Sequence, residues 1–585
     1  MSTRSCPEPQ PAPLRPVPQL EGAAAYGVPR PLTPTDLALD GNEGPAPPAA
    51  LLAELAHRDP ALLRDYPRAA HRALEAQIAA RRGLDPARVL VTAGGDDALD
   101  RACRSVLGPG RTLLFPSPSF EMLARYARLT GAEVREIPWP EGPYPTERVL
   151  AAVDERTGMI AVVSPNNPTG AVARAEDLRR LCERAPHALV LLDLAYAEFA
   201  EQDALEPIAL SLPNALVVRT LSKAYGLAGL RVGYALGPER VIAWMRAAGA
   251  PYPVAGPSLA LAGAWLERAG PALERHVAHV RRARTRLASL LERLGSRPLP
   301  SQANFVLAHF AHARWVHEAL AGLGIAVRRF PGRTGLEHAL RISIPASEDE
   351  QRRLEAALTT VLAPEALLFD MDGVLADVAG SYREAIRRTA AAFGLSVPPE
   401  AIEAEKARGD ANNDWVLTHR LLARAGIERP LEEVVRVFER HYQGEGEQPG
   451  LWRTERLLFD RPLLERLRAR LRLGIVTGRP RRDAERFLHT HGIAPLFDAL
   501  VCMEDTARPK PDPAPLRLAL ERLGLRHAWF VGDTVDDVRA ARAAGLLPLG
   551  FAPPGADLAR LQTHLAAAGA ARTLTEPTQI EELLP

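Results

Sequence analysis

The sequence predicts an α/β protein made of two successive α/β regions, the first with a smaller α+β unit appended. Three observations carry this prediction. Short apolar runs alternate with helical patterns from about Leu51 to Arg219, as expected of a mostly parallel sheet covered by helices. The same alternation starts afresh at Ala366-Leu367-Leu368-Phe369. At 585 residues, moreover, the chain is longer than one hydrophobic core can organise.

Taken in order, the segment from Met1 to about Pro31 is proline-rich and lacks an apolar signal core, so it reads as a mobile arm and export is not expected. Val89 to Thr92 is strand-like, and Asp96 to Leu107 is helix-like with Gly108-Pro109-Gly110 as its stop. Thr112 to Phe115, Met159 to Val163, Ala188 to Asp193 and Ala215 to Arg219 repeat the strand pattern. Ala255 to Gly295 predicts long helices. Ala303 to about Val361 predicts a small α+β unit with strands near Phe305, Ala326 and Ile342. In the second region, strands are expected at Leu473 to Thr477, Leu500 to Met503, Ala528 to Gly532 and Leu546 to Phe551, with a helical insertion between Asp377 and about Thr454. The expected division is an arm over 1–31, a first region over 32–362 with its small subdomain from about 296, and a second over 366–585 with a helical cap at about 378–455.

Composition narrows the function. The chain is 47% hydrophobic and 24% charged with a formal net charge of +1, which argues against a nucleic-acid or membrane-surface partner. Cys6, Cys103, Cys182 and Cys502 are scattered and form no metal-ligand or disulfide spacing, as in a reducing cytoplasm. No apolar stretch is long enough to span a bilayer.

Two sets of residues carry chemistry. The first is Ser222-Lys223-Ala224-Tyr225-Gly226-Leu227-Ala228-Gly229-Leu230-Arg231, a lysine among small residues followed by an arginine. Upstream, Asp193 ends an apolar run where a carboxylate emerges at a sheet edge, and Tyr196 follows it. Pro165-Asn166-Asn167-Pro168-Thr169-Gly170 is a turn directly after a strand, and Thr92-Ala93-Gly94-Gly95-Asp96-Asp97 opens a helix whose free amides suit a phosphate. Each element alone is an ordinary surface charge, turn or helix start. Together they supply what pyridoxal phosphate requires: a lysine for the aldehyde, a carboxylate for the pyridine nitrogen, and donors for the phosphate.

From about Leu39 to Pro345 the chain resembles the fold-type I aminotransferases, and among them the histidinol-phosphate aminotransferases. The resemblance implies that Lys223 holds the cofactor, Asp193 partners its ring nitrogen, and Tyr196 and Asn167 bond its ring oxygen. It implies that Ser222, Arg231, Gly95 and Asp96 hold the phosphate and that Phe120 stacks on the ring. Tyr66 in Asp65-Tyr66-Pro67 would reach the neighbouring subunit's site, implying a homodimer. Asn42 in Leu39-Asp40-Gly41-Asn42-Glu43-Gly44-Pro45 matches a substrate-covering segment, and Arg328 and Arg341 match two anion-binding arginines, whose planar forks take a carboxylate or a phosphate. The usual Asp-Glu-Ala-Tyr is here Asp193-Leu194-Ala195-Tyr196. A related threonine-phosphate decarboxylase shares most of these motifs, so another phosphorylated amino compound stays open as substrate.

The second set is Asp370-Met371-Asp372-Gly373-Val374 after an apolar strand, then Thr477-Gly478, then Lys510 in Arg508-Pro509-Lys510-Pro511, then Gly532-Asp533-Thr534-Val535-Asp536-Asp537. Phosphoryl transfer to a carboxylate needs a nucleophile, a proton donor and cations against the phosphate; such an acidic turn also suits Mg²⁺. Residues from Ala366 onward resemble the haloacid dehalogenase superfamily of phosphatases, whose fold is Rossmann-like. That resemblance implies Asp370 as nucleophile and Asp372 as general acid/base, with Thr477 and Lys510 on the phosphoryl group. Mg²⁺ would be held by Asp370, the main-chain oxygen of Asp372, Asp533 and, in support, Asp537. The cap string Gly409-Asp410-Ala411-Asn412-Asn413-Asp414-Trp415 is either a reader of the leaving group or a helix N-cap region.

Both halves accept an intermediate that carries one phosphate. The expected function is therefore two consecutive steps of histidine biosynthesis: transamination of imidazole-acetol phosphate by glutamate, then Mg²⁺-dependent dephosphorylation to histidinol. The alternatives are a phosphatase for an unrelated metabolite such as phosphoglycolate, a ligand-sensing regulator, and an inactive phosphatase kept as a structural module. The short, non-basic arm speaks against the regulator, and the retained acidic residues speak against the inactive module.

Overall fold

The computed structural model describes residues 16–585 apart from 22–24, 26, 28–30, 202–204 and 410–412. Most of the proline-rich arm, and Asp410, Ala411 and Asn412 of the cap string, therefore lie outside the described residues. The chain forms two compact units. The first holds residues 42–284 and 299–306 with the N-terminal residues to 28, and the second holds 29–41, 285–298 and 307–585.

The first unit is built on a seven-stranded sheet. In spatial order its strands are Val89–Thr92, Gly233–Leu236, Ala215–Thr220, Leu189–Asp193, Thr157–Val163, Thr112–Ser117 and Glu133–Pro138. The five from Ala215–Thr220 onward run parallel to one another, while Gly233–Leu236 is antiparallel to both strands beside it. The central strands are apolar throughout because both faces are covered, and alternate side chains enter different cores. Ile160, Val162, Val190 and Leu192 belong to one; Met159, Ala161, Leu189 and Leu191 belong to the other. Gly233–Leu236 was not anticipated from the sequence. Its glycine is required by a close approach, since an added β-carbon would sit 2.6 Å from the Gly95 amide nitrogen.

The second unit contains two large sheets, besides two short two-stranded pairings. One has the order Leu37–Leu39, Ile325–Arg329, Ala339–Ser343, Phe305–His309, Arg297–Pro298, its first residues of Phe305–His309 falling in the first unit. The other is wholly parallel, in the order Ala499–Val501, Arg472–Val476, Ala366–Phe369, Ala528–Gly532, Leu547–Phe551, Arg572–Leu574. Helices Ala313–Gly322 and Glu348–Leu362 seal this second sheet. Fully buried Trp529 donates its indole N–H to the Thr360 carbonyl at 2.7 Å and meets Trp315 edge-on at 5.5 Å. Arg572 pairs with Glu318 and lies 5.1 Å from the Trp315 ring centroid. A buried indole N–H usually finds an acceptor, and here the acceptor comes from 169 residues upstream.

The helical insertion comprises Tyr382–Ala392, Pro399–Arg408, Asp414–Arg424 and Leu431–Gln443. Its first and last helices meet through Tyr382, Phe438 and Tyr442, the Tyr382 and Tyr442 rings lying 4.3 Å apart. A short antiparallel pairing of Ala376–Asp377 with Arg456–Leu457 joins it to the parallel sheet. No helix among the described residues is long and apolar enough to cross a membrane.

Candidate active sites

The first candidate site lies beyond the C-terminal ends of three adjacent parallel strands, where open α/β sheets present a crevice. Val163, Asp193 and Val218 are register partners across those strands, and the loops that follow carry Asn167, Tyr196, Ser222 and Lys223. Asp193 is buried, and its carboxylate accepts from the Ala195 amide at 3.1 Å. It has no ion-pair partner within salt-bridge distance among the described residues. Burial pushes its pKa up to about 6; Asp96 adds to the rise, and the Ala195 amide and Lys223 oppose it. A buried carboxylate without a bonded cation fits the protonated nitrogen of a pyridine ring.

Asn42 sits in the left-handed region at φ 58° and donates to the Tyr196 hydroxyl at 3.0 Å. The Tyr196 ring meets Phe305 edge-on at 5.2 Å, with Lys223 Nζ 6.0 Å from its centroid. Asn304, which the sequence did not single out, is buried and donates to the Asn42 carbonyl at 3.1 Å. At Gly44 a β-carbon would collide with the Lys223 carbonyl, so the segment carrying Asn42 can cross the lysine loop only as glycine.

The phosphate end is formed where Thr92 and Thr220 both face Gly233 in register. Helix Gly94–Val106 begins there, with the first-turn amides at Gly95 and Asp96. Thr220 donates to the Ser222 hydroxyl at 2.9 Å. Arg231, left-handed at φ 52°, donates to Asp96 at 3.2 Å and to the Ala228 carbonyl at 3.3 Å. Helix amides, hydroxyls and a guanidinium fit a phosphate. Phe120 is half-buried against one core just before helix Glu121–Leu129. Tyr66 is set apart, 75% exposed and stacked on Tyr252 at 5.1 Å. Arg328 and Arg341 belong to the second unit, where they are buried cross-strand partners, and Arg341 donates to the Asp40 carbonyl at 2.5 Å. Two buried arginines at paired strand positions suit an anionic ligand.

The second candidate site sits at the C-terminal edge of the six-stranded sheet. Asp370 and Asp533 follow adjacent strands in which Phe369 and Val531 are register partners. Buried Lys510 reaches Asp370 at 2.8 Å, Asp537 at 2.5 Å and the Val476 carbonyl at 3.2 Å. Carboxylate oxygens of Asp370, Asp533 and Asp537 lie within 4.8 Å of one another. Burial raises the Asp370 pKa to about 7, with Lys510 opposing and neighbouring acids adding; burial holds Asp533 well above the usual range too. Three crowded buried carboxylates against one lysine fit a hard, oxygen-seeking cation. Asp537 has a second task, capping helix Val535–Ala544 through Thr534.

Asp372 is not part of this acidic group through its carboxylate. That carboxylate accepts from Arg479 at 2.5 Å, and Arg479 also reaches Glu455 at 2.9 Å. Thr477 accepts the Arg479 amide at 3.1 Å. From the cap, Arg383 comes within 3.9 Å of Asp533 and Lys406 within 3.5 Å of Asp414. Asn413 caps helix Asp414–Arg424 by accepting from the Trp415 and Val416 amides, so the helix-cap reading of that residue holds. Arg479, Glu455, Arg383 and Lys406 were not found in the sequence. Only Arg479 had a nearby signal, standing two residues after Thr477.

Fold and geometry together define an enzyme with a transferase part and a hydrolase part. Residues 33–358 match the model of aminotransferase class I and II, and residues 364–545 match that of the haloacid dehalogenase-like hydrolases. The chain belongs to the class I and II aminotransferases, within them to the histidinol-phosphate aminotransferase family, and carries a haloacid dehalogenase-like hydrolase domain in its C-terminal part. A histidinol-phosphate aminotransferase of Erythrobacter litoralis is 38% identical over 57% of this chain and 94% of its own length. The solved histidinol-phosphate aminotransferase of Sinorhizobium meliloti in complex with pyridoxal-5'-phosphate is 26% identical, with a TM-score of 0.54 over 60% of this chain and 97% of that one. An imidazoleglycerol-phosphate dehydratase of Phytophthora nicotianae is 50% identical over 198 residues, which is 32% of this chain and less than half, 44%, of that protein.

Proposed function

We propose that the chain performs two consecutive reactions of histidine biosynthesis in the cytoplasm. Glutamate transfers its amino group to imidazole-acetol phosphate in the first, and the resulting histidinol phosphate is dephosphorylated to histidinol in the second. The observation that carries the reading is the pair of anion-suited sites on one chain. The cross-strand guanidiniums of Arg328 and Arg341 suit a substrate carboxylate or phosphate, and the Asp370–Lys510 centre suits phosphate-ester cleavage. The histidinol-phosphate aminotransferases among its relatives support the substrate. The working division is residues 32–362 for amino transfer and 366–585 for hydrolysis, with the cap at about 378–455.

Pyridoxal phosphate, when bound, supplies the aldehyde and the electron sink. Lys223 would anchor it and move protons at the substrate carbon. Asp193 would keep its ring nitrogen protonated, Tyr196 and Asn167 would hydrogen-bond its ring oxygen, and Phe120 would stack on the ring. Ser222, Arg231 and the amides at Gly95 and Asp96 would hold its phosphate, and Asn42 would cover the substrate. In the hydrolase part Asp370 attacks phosphorus, the ester P–O bond breaks, and Asp372 gives its proton to the departing alkoxide oxygen. Water then attacks the phosphorus on Asp370, returning a proton to Asp372 and releasing phosphate. Thr477 and Lys510 bind the phosphoryl oxygens. Asp370, the main-chain oxygen of Asp372, Asp533 and Asp537 would hold Mg²⁺, which supplies charge neutralisation at those oxygens.

The test is the full-length protein given imidazole-acetol phosphate, glutamate and Mg²⁺, with histidinol and free phosphate as the expected products. Hydrolysis across a panel of small phosphate esters completes it. Histidinol phosphate ranking among the poorest substrates would end the pathway reading while leaving both reaction classes in place.

Two further outcomes follow from the same assignments. Because burial holds the Asp193 pKa at about 6, the folded chain keeps a proton that an unfolded one releases near its ordinary carboxyl pKa. The stability this gives is full below that ordinary value and is lost as pH rises through 6. A rise of about two units is worth about 3 kcal/mol. Asp193→Asn in the cofactor-free protein should therefore raise the thermal midpoint at pH 8 and leave it unchanged near pH 4, while removing transamination. A midpoint difference independent of pH would contradict the assignment.

The proposed assembly is a homodimer through the aminotransferase part. Exposed Tyr66, Leu63 (78%) and Leu52 (67%) supply an apolar surface in the first unit for a second copy. Light scattering should give twice the chain mass of 63.4 kDa. Tyr66→Ala should weaken cofactor retention, and a monomer that holds cofactor at full affinity would overturn the dimer assignment.

A further inference from the structure

A fully buried guanidinium is costly unless every charge around it is placed to receive it. Arg479 is such a group: its side chain is 0% exposed, Glu455's is 3% and Asp372's is 21%. Its Nε donates to Asp372 and its Nη1 to Glu455. The other oxygen of Glu455 accepts from the Ser381 hydroxyl at 2.9 Å and the Tyr442 hydroxyl at 3.1 Å. The guanidinium lies 4.9 Å from the Tyr382 ring centroid and 5.5 Å from that of Phe487. Its main chain is tied as well, the amide donating to Thr477 and the carbonyl accepting from Met503 at 3.0 Å. Arg479 is thus tied at its main chain and at two of its three guanidinium nitrogens, Nη2 having no hydrogen-bond partner among the described residues, and its Nε holds the Asp372 carboxylate.

We infer that Arg479 is a positioning residue of the phosphatase centre, holding the Asp372 carboxylate for proton transfer while Glu455 holds Arg479 from the cap side. The inference rests on the reading of Asp372 as proton donor. It explains why the carboxylate two residues from the nucleophile stays apart from the Asp370–Asp533–Asp537 group: a carboxylate drawn into a cation site could not carry a proton to the leaving oxygen. It also links the cap to the chemistry, because Ser381, Tyr382 and Tyr442 all bear on the Glu455–Arg479 pair.

The test uses leaving groups of different basicity on the full-length protein with Mg²⁺. An alkyl phosphate needs a proton on its departing oxygen, whereas p-nitrophenyl phosphate leaves as a weakly basic phenolate. Arg479→Lys keeps the charge but cannot bridge both carboxylates. Its kcat/KM, which reports the step that expels the leaving group and not the later hydrolysis common to both esters, is expected to fall about 100-fold on the alkyl ester best hydrolysed by the parent, and by less than about tenfold on p-nitrophenyl phosphate. Asp372→Asn should show the same discrimination, and the double variant should be no worse than Asp372→Asn alone. Glu455→Gln, which retains the guanidinium, should discriminate in the same direction and serves if Arg479→Lys does not fold. Uniform losses on both esters for the Arg479 and Glu455 variants, with Asp372→Asn still selective, overturn the positioning role alone. A uniform loss of kcat/KM for Asp372→Asn overturns the reading of Asp372 as proton donor, and the positioning role with it.

Discussion

Replacing Lys223 by alanine is expected to remove amino transfer while phosphate release continues near the parental rate. The substitution deletes two functions at once, the covalent anchor for the cofactor's aldehyde and the base that moves the substrate proton. A loss on the order of 10⁴-fold or more in glutamate-dependent transamination is therefore expected. Histidinol phosphate supplied directly should still be hydrolysed, because Asp370, with Lys510 paired to it, follows a strand of a different sheet from the one that precedes Lys223. A second readout is chemical. Borohydride should fix the cofactor to the parent's Lys223 peptide, seen by mass spectrometry, and leave the variant unlabelled. Transamination by the variant at the parent's rate would remove Lys223 from its role.

Asp370→Asn is the complementary case, and its effect should be of similar size. An amide cannot attack phosphorus as a carboxylate does, so phosphate release should fall on the order of 10⁴-fold or more. Given imidazole-acetol phosphate and glutamate, the variant should accumulate histidinol phosphate in place of histidinol. The near-isosteric amide keeps an oxygen for Lys510, which also retains Asp537 at 2.5 Å, so the site should remain folded and amino transfer unaffected. Continued production of histidinol at the parent's rate would show that another group is the nucleophile.

The comparison of sequence and structure separates along a physical line. Strand positions were legible because a strand covered on both faces is apolar at consecutive positions: Val89–Thr92 and Ala528–Gly532 coincide with their expected runs. Helix Gly94–Val106 starts two residues before its expected first turn, since its opening glycines carry no apolar signal. The antiparallel strand Gly233–Leu236 was missed for a related reason: it is only four residues long and opens on a glycine, a weak strand former. Lys223, Asp193 and Asp370 were legible as candidates because their chemistry is carried by local strings at the ends of strands, and Lys510 because it stands in a proline-flanked loop string.

What the sequence determined by itself was thus the order of the α/β regions, the two reaction classes and the residues that end strands. Tertiary structure alone decided how side chains far apart in the chain meet. Asn304 supports Asn42 across 262 positions, Arg479 holds Asp372 across 107, and Trp529 bonds the Thr360 carbonyl across 169. Arg328 faces Arg341 only because the strand register sets them opposite. Periodicity and turn chemistry act over a few residues and leave a mark in the string. A buried ion pair or indole bond is fixed by packing and desolvation between segments that only the folded chain brings together.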